Sequence, residues 1–334
     1  MAFQIKIWDH CRYVEDKLRP YDEMARHLDT MAKAGICATI IYMPEVISLD
    51  DYCRAARQAG IAVEARIFPA WNVDNPVMRT LPEADFQEME KRFGIRLAGS
   101  CGNHPGNRAK FLAAAERLAA EYAGRIEAIH LDFIRNDNAL LLMDYPCQCD
   151  ACQALYRRFF NCAVPDKAML RDAAVQYKLL AIRNDSVKRT VRAMRDMTKR
   201  HHLKLTMAAR ANYLNSRDIA DPPVWGLGPA VLEGQDWVAW HDEGLLDGIY
   251  PMNYHTDFAL FQSILADYLR LIPEHRETLF SGVGISSSMG EITPEGAARR
   301  LAAIRDAGLP GAVLFNKTNR YSAEFCAVFR EFAK

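Results

Sequence analysis

An ionised carboxylate inside an apolar strand needs a reason to be there. In the run AIHLDFIR, Asp132 follows four residues that are apolar apart from His130. Burying its charge is costly unless it is paired or faces a polar cavity. A structural ion pair with Arg66 or Arg135 would meet that condition, and so would an active site. Cleavage of a glycosidic bond uses two carboxylates across the bond, one as nucleophile or base and the other as acid. Partners for Asp132 are Glu233 and Asp236 in LEGQDW, Asp257, and Asp9. Asp236 and Asp257 each precede a helical run, where aspartate ordinarily caps the helix.

A second cluster has metal-ligand chemistry. YPCQCDACQ places Cys147, Cys149 and Cys152 within one short segment. Three thiols at that spacing suit tetrahedral zinc once a fourth ligand is added. Cys101 is the nearest thiol in sequence and His104 the alternative. The preferred set is Cys101, Cys147, Cys149 and Cys152, a structural zinc pinning two loops together. The other reading is a group of free or redox-paired thiols. No organic cofactor motif is present.

The elements that must position these groups repeat along the chain. Helical segments end at Gly35, Gly60, Gly124, Gly244 and Gly308, and an apolar, β-branched run follows each. Glycine closes a helix cheaply because it adopts the left-handed cap conformation without a Cβ clash. Near-continuous apolar runs suit parallel strands buried on both faces. Eight such runs, at 3–9, 38–43, 62–69, 127–134, 204–211, 247–254, 278–285 and 311–317, predict an α/β fold. Its form is a (β/α)8 TIM barrel occupying residues 1–334 as one domain, with long connections after strands 3 and 4. Helical periodicity agrees, with Phe111, Leu112, Ala115, Leu118 and Tyr122 on one face and Phe325, Val328, Phe329 and Phe332 on another. An open doubly wound sheet is the alternative, but no glycine-rich phosphate loop follows the first strand.

Catalytic groups in such barrels come from the C-terminal ends of the strands. Those ends carry Trp8, Asp9 and His10; Tyr42; Arg66 and Trp71; and Asp132 with Arg135. Arg210 and Asn212 follow, then Asn253, Tyr254 and His255, and finally Asn316 and Lys317. Carboxylates, amides, arginines and aromatics suit a neutral, hydroxyl-rich ligand. Substrate contacts are therefore expected from Asp9, Tyr42, Arg66, Trp71, Arg135, Arg210, Asn253, Tyr254, His255, Asn316 and Lys317.

The phrases IHLDFIR and DWVAWHDEGLLDGIYPMNYH resemble a large group of glycosyl-hydrolase-like TIM-barrel proteins of bacteria. The matches bracket about residues 127–256. The resemblance implies that Asp132 is catalytic and that Asn253 and Tyr254 bind substrate. The cysteine spacing is similar to that of family 42 β-galactosidases, whose loop after strand 4 and a remote cysteine hold zinc. Their catalytic pattern does not carry over: they use Asn-Glu at strand 4 and Glu at strand 7, whereas this chain has Asp132 and no acid in TLFSGVGIS. The strand-4 aspartate resembles instead α-galactosidase-like barrels, where such a residue is the nucleophile and the acid comes from around strand 6.

Together these readings predict a glycoside hydrolase with Asp132 as nucleophile or base. The alternatives are a barrel that binds a carbohydrate or sugar acid without cutting it, and a phosphate-binding isomerase or lyase using SGVGISSSMG. Forty-two basic residues balance forty-two acidic ones, so no overall field favours nucleic acid or an anionic membrane. The N-terminal run MAFQIKIWDH lacks the pattern of a signal peptide. The expected setting is cytoplasmic, with a small carbohydrate or oligosaccharide as partner; assembly into a homo-oligomer is compatible with all of these features.

Overall fold

The computed structural model describes residues 2–9, 20–41, 49–69, 82–84, 87–88, 91, 101–136, 146–212, 230–317 and 321–333. Its strands are β1 (Gln4–Asp9), β2 (Ile36–Ile41), β3 (Ala62–Ile67), β4 (Ala128–Leu131), β5 (Lys204–Ala209), β6 (Gly248–Pro251), β7 (Phe280–Ser287), β8 (Gly290–Glu291) and β9 (Gly311–Asn316). Their order is β6-β5-β4-β3-β2-β1-β9-β7-β8, parallel throughout except that β8 folds back antiparallel on β7. A parallel bridge between Ile249 and Leu279 joins β6 to the start of β7, so the eight parallel strands close into a ring. The fold is an α/β barrel, and β8 is a small hairpin on its rim.

Outside the ring lie α1 (Tyr21–Lys33), α2 (Leu49–Ala59), α3 (Pro105–Tyr122), α4 (Asp150–Phe160), α5 (Ala173–Arg200), α6 (Trp237–Asp242), α7 (Phe258–Leu271), α8 (Pro294–Asp306) and α9 (Ala323–Phe332). The five junction glycines have φ between 64° and 86°, the left-handed cap the sequence predicts. Gly35 has a second reason to be glycine. A Cβ there would sit 2.4 Å from that of Ala333, because the end of α9 packs against this junction. No helix among the described residues is long and apolar enough to cross a membrane.

Strand alternation sorts side chains between two cores. Outward residues such as Ile5, Ile7, Ile129 and Leu131 join the large layer between sheet and helices. Inward residues form a smaller interior cluster of Trp8, Ile40, Ala208, Tyr250, Phe280 and Val313. The interior also carries a charged floor. Lys6 Nζ lies 2.7 Å from both Glu64 Oε1 and the Tyr250 hydroxyl, and Tyr250 donates to the same Oε1 at 2.7 Å. Thr206 donates to Glu64 Oε2 at 2.7 Å and lies 2.8 Å from His130 Nδ1. Its one proton is spent on Glu64, so it accepts from His130 Nδ1–H. Burial pushes Glu64 up, but the charge of Lys6 and the hydrogen bonds outweigh it and hold the carboxyl well below its ordinary range.

Candidate active site

Above that floor, at the C-terminal mouth, a cavity of about 350 Å³ opens. Arg66, Asp132, Arg135, Arg210, Tyr254, His255 and Lys317 all line it, as the strand-end reading predicts. The order of strands explains the grouping: β3, β4 and β5 are consecutive neighbours and bring Arg66, Asp132 and Arg210 to one side.

Asp132 is placed by a sharp break in the chain. The sequence predicts a strand through residue 134, but β4 ends at Leu131. Phe133 then adopts φ 48°, a conformation uncommon for a bulky residue and often found at functional sites. The break lets the Phe133 amide donate to Asp132 Oδ1 at 2.8 Å. Arg66 donates to Oδ2 through Nε at 2.7 Å and also through Nη2. Burial pushes Asp132 up, but the charges of Arg66 and Arg135 outweigh it and hold the carboxyl below its ordinary value. It is a permanently ionised group at neutral pH, suited to act as nucleophile or base rather than acid.

The expected second carboxylates are committed elsewhere. Glu233, on a short turn of 3-10 helix, is buried behind the cavity wall. Both its oxygens accept from Arg210, at 2.7 and 2.9 Å, and Arg135 Nε lies 3.1 Å from Oε2. Both oxygens are thus taken up by guanidinium groups within the wall rather than turned toward Asp132. Asp236 accepts from the Ala239 amide as the cap of α6, and exposed Asp257 accepts from the Leu260 amide as the cap of α7. None of the three lines the cavity. These geometries correct the assignment of Glu233, Asp236 and Asp257 as acids facing Asp132.

Strand parity removes three more expected contacts. Asp9 shares the outward face with Ile5 and Ile7, where Tyr52 donates to it at 2.5 Å and His27 Nε2 lies 3.3 Å away. Asn253 is fully buried and donates to the Phe261 carbonyl of α7. Asn316 is buried on the face of β9 opposite Phe315, away from the cavity. Tyr42 and Trp71 lie outside the described residues.

The apolar walls are absent from the expected substrate contacts, although the sequence places Trp8 at its strand end. Trp8, Phe133, Met252 and Phe315 line the cavity, with Ala211, Ser288 and Met289. Trp8, Met252 and Phe315 share strand parity with Lys6, Tyr254 and Lys317, so period-two counting finds them. Nothing in the sequence signals Phe133, whose exposure follows from its backbone. The glycine-serine run forms most of β7 and its turn into β8, and the Met289 amide donates to Ser287 Oγ at 3.0 Å. That amide is thereby spent within the hairpin rather than offered to a phosphate.

The four sulfurs of Cys101, Cys147, Cys149 and Cys152 lie within 4.8 Å of one another, all buried. Cys101 is 3.5 Å from Cys152 and 3.4 Å from Cys149. Tetrahedral zinc at a Zn–S distance of ~2.3 Å separates its sulfurs by roughly 3.8 Å. The cluster therefore fits one metal ion with little movement. It ties the start of the chain into α3 to the start of α4.

The sequence matches no protein-family model and no curated protein. Among solved structures, the chain is similar to the glycoside hydrolase domain of PgaB (BpsB) from Bordetella bronchiseptica, at 13% identity and TM-score 0.66, over 99% of this chain and 97% of that one. It shares its fold with glycoside hydrolases. An endo-1,4-β-D-mannanase from Thermotoga petrophila (12%, TM-score 0.57, 99% and 98%) and a chitinase from Chromobacterium violaceum (10%, TM-score 0.55, 99% of each chain) have it too. At these identities the likeness is one of fold, and function rests on the site.

Proposed function

We propose that this barrel acts on a saccharide in the mouth cavity and cleaves a glycosidic bond there. The observation that carries the reading is Asp132, the one carboxylate among the described cavity-lining residues, at the end of β4 and held ionised by Arg66. As nucleophile, Asp132 would attack the anomeric carbon while the bond to the leaving oxygen breaks; as base, it would take a proton from the attacking water. A separate group must protonate the leaving oxygen, and Glu233, Asp236 and Asp257 are not placed to do so. Tyr254 and Phe315, stacked with centroids 5.0 Å apart, offer apolar surface to the C–H faces of a sugar, and His255 a polar edge. The neighbouring glycoside hydrolase structures support the reading at the level of fold.

The test is turnover of a panel of chromogenic glycosides by the wild type and by Asp132→Asn. Release of the chromophore by the wild type, reduced on the order of 10³-fold in the variant, is expected. A substrate turned over equally by both sinks the reading. Binding without cleavage is the second reading, favoured by the arginine partners on both Asp132 and Glu233. A saccharide that binds the wild type but is never cleaved would select it.

The four-cysteine cluster we assign to a structural zinc, because four buried thiols leave no position open for substrate. Elemental analysis should find about one zinc per chain, lost in Cys149→Ser.

A further inference from the structure

The cavity wall also bears on what kind of saccharide enters. Among its described lining residues, four are cationic, Arg66, Arg135, Arg210 and Lys317, against the single carboxylate of Asp132. Behind the wall, Glu233 supplies one negative charge shared between Arg135 and Arg210. The cations are also spread around the opening. Arg66, Arg135 and Arg210 come from β3, the end of β4, and the residue after β5, whereas exposed Lys317 follows β9, four strands round the ring from β4. A neutral sugar needs hydrogen-bonding planes and aromatic faces, not an excess of one sign. An anionic ligand entering an apolar-walled cavity with that excess gains electrostatic energy a neutral one does not.

Phe133 supplies a companion feature. Phe133 is 45% exposed and lines the cavity, with the Arg135 guanidinium 4.4 Å and the Arg66 guanidinium 5.9 Å from its ring centroid. An exposed aromatic ring on a left-handed backbone, in cation-π contact with two guanidinium groups, offers apolar surface next to positive charge.

We propose that the saccharide is anionic. A carboxylate on the sugar, or a phosphate ester in its place, lies among Arg135, Arg210 and Lys317, while an apolar face of the ring stacks on Phe133. This inference rests on the reading that the cavity takes a saccharide, but it does not depend on cleavage.

The experiment is calorimetric binding to the full chain of glucuronate and galacturonate, glucose 6-phosphate, glucose and galactose, and inorganic phosphate. At least one sugar acid or sugar phosphate is expected to bind at least tenfold more tightly than its neutral counterpart and more tightly than inorganic phosphate. The carboxylate and ester arms say which anion is preferred. Lys317→Gln, an exposed substitution that leaves the fold alone, should cut the preference about threefold. Phe133→Ala should weaken acidic and neutral sugars alike. Equal binding of neutral and anionic sugars overturns the inference, as does inorganic phosphate binding as tightly as any sugar anion, or no binding by any sugar. Asp132→Asn should keep the anion preference. Loss of turnover in that variant without any preference in the wild type would sink this inference alone, and a preference in a protein whose turnover ignores Asp132 would sink only the cleavage reading.

Discussion

The barrel interior holds two levels of charge built from the same parts and put to different ends. On the floor, Lys6 faces Glu64, and hydroxyls from Tyr250 and Thr206 complete the carboxylate. One cation meets one anion with little solvent: Glu64 is 1% and Lys6 8% exposed. At the mouth, guanidinium groups outnumber carboxylates among the described residues, and a cavity lies open above them. A closed, balanced set of charges specifies the interior packing, whereas an unbalanced set around a void is poised for a ligand. Burial alone does not separate the two levels, since Asp132 is only 5% exposed. The balance of charge and the space beside it do.

The largest effect expected is at the mouth, where Asp132→Asn abolishes turnover on the order of 10³-fold as set out above. On the floor, Glu64→Gln strands Lys6 without its counter-charge and should cost about 3–5 kcal/mol, read as a fall in denaturant midpoint. If Glu64→Gln removed turnover without loss of stability, the floor would belong to the site and the contrast would break. With a structural zinc on the four cysteines, as proposed, a chelator should lower Tm by roughly 5 °C or more, because binding energy at such a site is folding energy. An unchanged Tm would show that the cysteines bind no structural ion.

The pH dependence sharpens the comparison. Asp132 has its folded pKa depressed below the ordinary value of 3.8. The stability it contributes is therefore fully present above 3.8 and is lost as pH falls through the depressed value. With Asp132 as the ionised group, the acidic limb of kcat/KM should also lie below 3.8. A limb near neutrality would point to a different titrating residue. The smallest effect expected is at Asp257, where Asp257→Ala should cost about 1 kcal/mol of capping energy and leave turnover unchanged. Lost turnover there would restore Asp257 as a catalytic acid.

The fold was legible because its signals are local. Five glycine caps and eight apolar runs recur in order, and each needs only its own neighbours to form. The site was legible in part for the same reason: strand ends point at the mouth, so Arg66, Asp132, Arg210 and Lys317 could be named from position. Asp9, Asn253 and Asn316 were misplaced because they sit near the same strand ends but face outward, and polarity outweighed alternation in choosing them. Glu233 was misread because its partners are distant in sequence: Arg135 and Arg210 meet it only once the chain is folded. Phe133 was invisible because its exposure depends on a left-handed φ, which a phenylalanine in an apolar run gives no reason to expect.

Everything proposed for the mouth turns on whether Asp132 faces the reacting carbon of a saccharide bound there. The most direct test is a crystal structure of Asp132→Asn soaked with a disaccharide bearing the preferred anionic group. With residue 132 as nucleophile, the anomeric carbon of the scissile bond is expected within about 3.5 Å of its side chain; with residue 132 as base, one water is expected between them; in both cases the ring lies against Phe133. A saccharide bound in the cavity with its anomeric carbon turned away from residue 132, or bound elsewhere on the barrel, would contradict it.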